Sequence, residues 1–106
     1  MKRFYAGTFI NYDDLKSIGI EYPIKLEYYK TKTNSNINNN KDEAKYGIEV
    51  IKTSYINEKT KVENIQIEEL TTDERVINKI LDKLKINEVT PICAEYIVED
   101  LLKEII

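Results

Sequence analysis

Residues 87–102, NEVTPICAEYIVEDLL, contain the clearest structural signal in the chain. Thr90 can cap the start of a helix with its hydroxyl group. Pro91 suits the first helical position, because the N–H that proline lacks would have no partner there. Asn87 tolerates the left-handed conformation that commonly ends a helix. The stretch therefore predicts a corner between two helices, with Asn87 closing the first and Thr90 opening the second.

The helix before this corner is predicted from apolar residues that recur at helical spacing, which are Val76, Ile77, Ile80, Leu81 and Leu84. Thr71 and Glu74 have the three-residue spacing of a capping box. Lys83 and Lys85 place positive charge at the negative end of the helix dipole. We expect an amphipathic helix that is capped by the Thr71–Glu74 box.

Two alternating segments precede the helices, AKYGIEVIKTSYI (44–56) and KVENIQIEEL (61–70). The short polar stretch 57–60 joins them, so they predict a β-hairpin. In the first strand Ile48 and Val50 share one face, and Ile51 and Tyr55 share the other. In the return strand Ile65 and Ile67 share one face, and Val62 and Leu70 share the other.

The first third of the chain also favours strands. In the segment 24–33, the side chains of Ile24, Leu26 and Tyr28 point one way, and those of Lys25, Glu27 and Tyr29 point the other. Upstream, the strand-forming residues are Phe4, Tyr5, Thr8, Phe9 and Ile10, with Gly7 as a candidate bulge. Residues 13–19 are predicted to form a loop or a single helical turn.

These patterns predict one α+β domain that spans residues 1–106. Its antiparallel sheet has three or four strands, and a C-terminal αα-hairpin packs on one face of the sheet. The asparagine-rich stretch 34–42 has no apolar anchor and is predicted to be a mobile connection.

Composition limits the function. The 106 residues carry a net charge of −3 and contain no histidine, so the commonest general base and metal ligand is missing. The single cysteine, Cys93, excludes an internal disulfide and is expected to be a buried structural thiol. No signal peptide or membrane span is recognisable, and we expect a cytoplasmic protein.

Known catalytic and binding motifs are not matched. The stretch 34–45 lacks the glycine and glutamate of a calcium loop, and the three glycines are too far apart for a phosphate loop. Asp13-Asp14 and Glu99-Asp100 are sequence neighbours rather than carboxylates that face each other across a cleft. We predict no catalytic residue, cofactor or metal. An enzyme with an unrecognised carboxylate or thiol site remains the third hypothesis.

Two runs resemble a known family. They are Tyr46-Gly47-Ile48-Glu49-Val50 and Asn87-Glu88-Val89-Thr90-Pro91-Ile92, with Glu99-Asp100 beyond the second run. The chain resembles domain of unknown function 6514 of spore-forming, low-GC Gram-positive bacteria, best from Tyr46 to the C-terminus. The resemblance implies an architecture and a host range, but no reaction.

The last helix suggests an interaction surface. Its apolar stripe is Ala94, Ile97, Val98, Leu101, Leu102 and Ile105, and Tyr96 and Ile106 widen this stripe beyond what packing on one sheet face requires. Acidic residues lie beside it, although negative charge near a helix C-terminus opposes the dipole. We predict a non-enzymatic regulator or inhibitor that binds a protein partner or a second copy of the chain. The candidate residues are Tyr96, Glu99, Asp100, Leu102 and Ile106.

The second hypothesis is a nucleic-acid-binding accessory protein. The strand LEYYKTKT (26–33) interleaves aromatic and basic residues, and its part from Tyr28 to Lys32 could stack on the bases and neutralise the phosphates of a single strand. The candidate residues are Lys25, Tyr28, Tyr29, Lys30 and Lys32.

The predicted connection leads to a direct test. Limited proteolysis should first cut within residues 34–42, because a stretch without apolar anchors is the easiest to unfold locally. Mass spectrometry of the early fragments locates the cut. Early cleavage near Thr90 instead would mean that the connection has been misplaced.

Overall fold

The computed structural model describes residues 1–11, 22–35 and 43–105. Within these ranges the elements in chain order are β1 (Lys2–Ile10), β2 (Ile24–Ser35), β3 (Glu43–Ile56), β4 (Lys59–Thr71), α1 (Glu74–Ile86) and α2 (Pro91–Ile105). The predicted α+β fold, a sheet followed by two helices, is confirmed. The expected loop at 13–19 lies outside the described residues. So does most of the expected mobile connection, although its first two residues end β2.

The four strands form one antiparallel sheet in the order β1-β2-β3-β4, with each strand beside its neighbour in sequence. Thr8 of β1 lies opposite Leu26 of β2, which in turn lies opposite Lys52 of β3. Because β1 joins the edge of the sheet, the N-terminal segment belongs to the fold, and the sheet has four strands within the described residues.

Both helices pack on one side of the sheet, which we call the covered face. The buried core between the layers consists of Leu26, Tyr28, Ile48, Val50, Ile77, Ile80, Leu81, Leu84, Val89, Ala94 and Val98. Each fully buried leucine or isoleucine stabilises the fold by roughly 1.5–3 kcal/mol. The predicted stripe of α1 and the predicted Ile24–Leu26–Tyr28 face of β2 are thus confirmed as core.

Two tyrosines tie the sheet to the helices. The hydroxyl of Tyr28 donates a hydrogen bond to the carbonyl of Val89 in the corner between α1 and α2, at 2.9 Å. Tyr5 lies at a bulge in β1 and donates a hydrogen bond to the carboxylate of Asp82 on α1. That hydrogen bond, helped by partial burial, raises the pKa of Tyr5 to about 12. The helix pair is thereby fixed to a central strand and to an edge strand.

The start of α1 differs from the prediction. Asp73, rather than Thr71, caps the helix, and its carboxylate accepts a hydrogen bond from the backbone N–H of Arg75 at 2.9 Å. The Thr71–Glu74 capping box was therefore wrong. The reason is that β4 continues to Thr71, whose hydroxyl instead accepts from the backbone N–H of Asp73 at 3.0 Å.

The corner after α1 is partly as predicted. Asn87 was expected to be left-handed, but its φ is −91° and it is Glu88 that adopts a φ of 50°. Asn87 acts through its side chain, whose amide donates to the carbonyl of Lys83 at 2.9 Å. The prediction that α2 begins at Pro91 after Thr90 is confirmed.

The β3–β4 hairpin contains two irregularities. Its turn has two residues rather than four, because Ile56 pairs with Lys59 and Asn57 takes up a φ of 48°. Near the other end the register shifts around Glu69, which has a φ of 54°. This shift directs Leu70 toward the core, so its predicted place on the opposite face was wrong.

Gly47 lies where β3 and β4 approach most closely. A Cβ atom at this position would clash with the carbonyl oxygen of Ile67 and would lie 2.8 Å from the Cα of Glu68. Both obstacles are backbone atoms, which cannot move without disturbing the ladder. Only glycine therefore fits this position of the Tyr46–Val50 run.

We expect Gly47→Ala to lower the free energy of unfolding by about 3 kcal/mol or more, since overpacking against backbone cannot relax. Urea denaturation measures the loss. Gly7→Ala is the matched control, because the nearest atom to its Cβ belongs to the Phe4 side chain at 3.3 Å, which can move. The free energy of unfolding of Gly7→Ala should stay within about 1 kcal/mol of the wild-type value. If both variants lost the same free energy of unfolding, the close approach of β4 to Gly47 would not be the cause.

Candidate functional site

The side of the sheet away from the helices is not covered by any of the described elements, and we call it the open face. Three rows of side chains cross its four strands. They are Phe4–Tyr29–Glu49–Gln66, Gly7–Glu27–Ile51–Asn64 and Phe9–Lys25–Thr53–Val62. Lys2 and Tyr55 extend the same face beyond these rows.

Large apolar side chains are exposed on the open face. Phe4 is 55% exposed, Phe9 54% and Val62 62%. The ring of Phe4 meets the ring of Tyr29 edge-on, with 5.5 Å between centroids, and Phe9 lies 6.1 Å from Tyr55. Phe4 is thus oriented by a tyrosine of the adjacent strand β2, and Phe9 by a tyrosine of β3, one strand further across the sheet, while much of each ring remains in water.

An open hollow of about 280 Å³ lies between the two phenylalanines. Phe4, Gly7, Phe9, Lys25 and Glu27 are among the residues that line it. Because Gly7 has no side chain, the ring of Phe4 can lie close over it, and the hollow extends from there toward Phe9. The hollow has room for one or two apolar side chains of another molecule.

Charges on the open face are paired within the face. Lys2 Nζ lies 2.8 Å from Glu49 Oε1, and Lys25 Nζ lies 3.6 Å from Glu27 Oε1. The ammonium of Lys2 also lies over the ring of Tyr29, 4.6 Å from its centroid. These lysines and glutamates cancel in pairs, so the rows present apolar and neutral groups to a ligand.

Glu49 is an ionised group in a buried position, with only 4% of its surface exposed. Burial alone would raise its pKa, but the charge of Lys2 and the amide of Asn64, which donates to Oε2 at 3.1 Å, outweigh burial. The pKa of Glu49 therefore lies below its usual value. Lys2 balances the charge on Oε1 without hydrogen-bond geometry, and no described residue donates a hydrogen bond to that oxygen.

The predicted surface on α2 is only partly formed. Tyr96 is 75% exposed, and Glu99 and Asp100 are exposed beside it. Leu102 is only partly exposed, because it packs against the core, and Ile106 lies outside the described residues. Sequence reasoning missed Ile92, which is equally exposed and lies one helical turn before Tyr96.

The predicted nucleic-acid strand is divided by the sheet. Tyr28 is fully buried and cannot stack on a base. Lys25 and Tyr29 lie on the open face, whereas Lys30 and Lys32 lie on the covered face. The five candidate residues therefore do not form one continuous platform.

Other candidate chemistry is not assembled. Cys93 is exposed rather than buried, which corrects its expected place. Among the described residues, no three metal-binding side chains cluster.

A concavity of about 730 Å³ follows the β3–β4 turn, but the residues named as lining it all belong to the stretch 56–61. Since these residues are consecutive in sequence, the concavity does not bring together side chains from different elements, as a binding site usually does. Within the described ranges, neither helix is long and apolar enough to cross a membrane.

The buried pair on the open face leads to a prediction. In the wild type the pKa of Glu49 is lower in the folded state than in the unfolded chain, where it is about 4.3. The Glu49 carboxylate therefore contributes fully to the stability of the fold at pH values above the unfolded pKa. That contribution is lost as the pH falls through the folded pKa. Lys2→Met should raise the pKa of Glu49, since burial would then be less opposed.

An NMR titration of the Glu49 side-chain carboxyl carbon measures this shift. Lys61→Met is the matched control, because Lys61 is exposed and its carboxylate neighbour is Glu63, at 4.0 Å. It should leave the pKa of Glu49 unchanged. An unchanged value in Lys2→Met would show that hydrogen bonds alone keep Glu49 ionised.

Comparison with known proteins identifies a family. The model of a family of unknown function, DUF6514, matches residues 14–104, which include β2, β3, β4 and α1 with nearly all of α2. The sequence resemblance is best from Tyr46 to the C-terminus, and the family match begins well before that point, at residue 14. No curated protein sequence and no solved structure matches the chain at a significant level. Because the matched segment covers most of the chain, the protein belongs to the DUF6514 family.

Proposed function

We propose that the chain is a non-enzymatic protein-interaction module, a small cytoplasmic regulator or inhibitor that binds its partner through the open face. The observation that carries this proposal is the pair of exposed phenylalanines on either side of the hollow at Gly7. An uncovered sheet face in water usually carries polar side chains at its outward positions. Clustered exposed aromatic groups are typical of binding surfaces.

The geometry favours strong binding at this point. Binding energy in protein interfaces concentrates in a few anchors that fill well-formed pockets. Phe4 and Phe9 are already held by Tyr29 and Tyr55, so ordering them on binding costs little conformational entropy. An apolar side chain of the partner would enter the hollow beside Gly7 and contact both rings.

The charge pattern defines the chemistry of the partner. Lys2 and Lys25 are both engaged with carboxylates of the same face, so a charged ligand would have to break existing pairs. A protein surface with an apolar centre makes no such demand. The nucleic-acid hypothesis has less support for the same reason, and because Tyr28 is not available for stacking.

The outer side of α2 is the competing protein surface. Ile92 and Tyr96 are more exposed than either phenylalanine, and acidic residues flank them. However, no second aromatic ring holds Tyr96 in place among the described residues, whereas both phenylalanines have such a neighbour. The open face therefore offers the more preorganised site.

The test compares the two surfaces directly. A photo-crosslinking amino acid at position 9 or at position 96 would capture partners in lysate of a spore-forming, low-GC Gram-positive bacterium, the host that the resemblance implies. The captured protein is then purified and titrated by calorimetry. Phe4→Gln with Phe9→Gln should weaken its binding by roughly thirtyfold or more, the effect of losing one binding hot spot.

Ile92→Gln with Tyr96→Gln is the matched control and should leave binding unchanged. All four side chains are more than half exposed, so both double variants should remain folded, as thermal melts would verify. Loss of binding only in the α2 variant would overturn the choice of the open face. Self-association by light scattering that depends on Phe4 and Phe9 would identify the partner as a second copy, and would contradict a role as a regulator of another protein.

A further inference from the structure

Three cations converge on the covered face, near the end of the sheet where α1 begins. Arg3 of β1 lies directly opposite Lys30 of β2, and Lys32 lies two positions further along β2 on the same face. Like charges directly opposite each other on neighbouring strands destabilise a sheet. The fold therefore holds this group of charges together at a cost.

Glu74, in the first turn of α1, is the one carboxylate among the described residues that is placed against them. Lys30 Nζ lies 2.7 Å from Glu74 Oε2 and 3.0 Å from the side-chain oxygen of Asn78. The hydrogen bond from Lys30 holds the pKa of Glu74 below its usual value, and Lys32 and Arg3 add to this effect. All three cations line the same cleft as Glu74.

The charges do not balance within the described part of the chain. Lys30 alone satisfies Glu74, while Arg3 and Lys32 have no carboxylate within ion-pair distance among those residues. The three cationic side chains and the one carboxylate leave a side-chain excess of +2, and the α-ammonium of Met1, which donates to the backbone carbonyl oxygen of Lys32 at 3.0 Å, adds a further positive charge. Lys30 alone makes the ion pair that joins α1 to the sheet through Glu74, so this contact does not require Arg3 or Lys32.

A cleft of about 110 Å³ lies at this point, and we call it the basic cleft. It is lined by Met1, Arg3, Lys30, Lys32, Tyr46 and Glu74. Since a water molecule in the liquid occupies about 30 Å³, the cleft has room for roughly four waters. This is the scale of one tetrahedral oxyanion. It is too small to enclose a nucleotide base together with its sugar.

We propose that the basic cleft binds a single phosphate group, as inorganic phosphate or as the phosphoryl end of a small phosphomonoester. Arginine offers a planar fork of donors to phosphate oxygens, and lysine adds a compact charge. A dianion would cancel the side-chain excess of +2 and would relieve the repulsion between Arg3 and Lys30. The site lies on the side of the sheet opposite to the open face, so it does not depend on the proposed function.

The experiment is a titration of isotope-labelled protein with inorganic phosphate at low salt, followed by NMR. Backbone amide signals of Arg3, Lys30, Lys32 and Tyr46 should shift and saturate, whereas sodium chloride at equal ionic strength should not reproduce the effect. Glycerol phosphate is run in parallel, because tighter binding of this ester would identify a phosphomonoester as the ligand. Shifts that merely follow ionic strength would overturn the proposal.

Two variants test the assignment in opposite directions. Lys32→Gln should weaken phosphate binding by roughly tenfold or more, as expected for the loss of one charge-assisted hydrogen bond. Glu74→Gln should strengthen binding, because it removes the carboxylate that competes with phosphate for Lys30. Lys61→Gln removes an equal charge from an exposed position on β4, outside the cleft, and should change nothing.

Thermal melts separate a ligand site from a structural role. Phosphate should raise the melting temperature of the wild type, and should raise that of Glu74→Gln more. A Glu74→Gln variant that is destabilised and gains no affinity for phosphate would assign the cluster to structure alone. An oligonucleotide that binds through Lys32 while inorganic phosphate does not would overturn the proposal in favour of nucleic acid. If Lys32→Gln failed to fold, Glu74→Gln would decide the question.

Discussion

The length of the two helices limits what they can cover, and both candidate surfaces follow from this limit. α1 has 13 residues and α2 has 15, which correspond to about 20 Å and 22 Å of helix. β3 has 14 residues and extends over about 46 Å. Two helices joined by a short corner can pack on only one face of such a sheet, and they cannot span its full length. Among the described residues, the open face lies outside the reach of the helices, and the basic cleft lies at the end of the covered face, where α1 begins.

The two surfaces solve the problem of exposed charge in different ways. On the open face Lys2 and Lys25 each have a carboxylate beside them, so the exposed aromatic groups dominate its chemistry. In the basic cleft Lys30 has such a neighbour, but Arg3 and Lys32 have none among the described residues. The first arrangement suits an apolar ligand and the second suits an anion. One small sheet can therefore offer two sites that do not compete with each other.

Much of the fold could be predicted because the relevant signals are local. The alternation in β2 and the helical stripe of α1 depend on which residues share a face, and sequence spacing determines that directly. The helix cap at Asp73 was missed because β4 continues to Thr71, and the placement of Leu70 was missed because of the register shift at Glu69. Such a shift is set by the pairing of two strands and leaves no periodic signal in either one.

The candidate site was harder to predict for a related reason. Tyr96 could be found from the helix that carries it, whereas Phe4 and Phe9 become a surface only when β1 pairs with β2 and their rings meet Tyr29 and Tyr55, which lie far along the chain. The DUF6514 match begins at residue 14, so it does not include β1. Yet β1 supplies both phenylalanines of the open face and Arg3 of the basic cleft. The matched framework contributes Tyr29, Lys30 and Lys32, which orient or complete these groups. Recognition at either surface therefore depends on how firmly β1 is held, through its ladder with β2 and the Tyr5–Asp82 hydrogen bond.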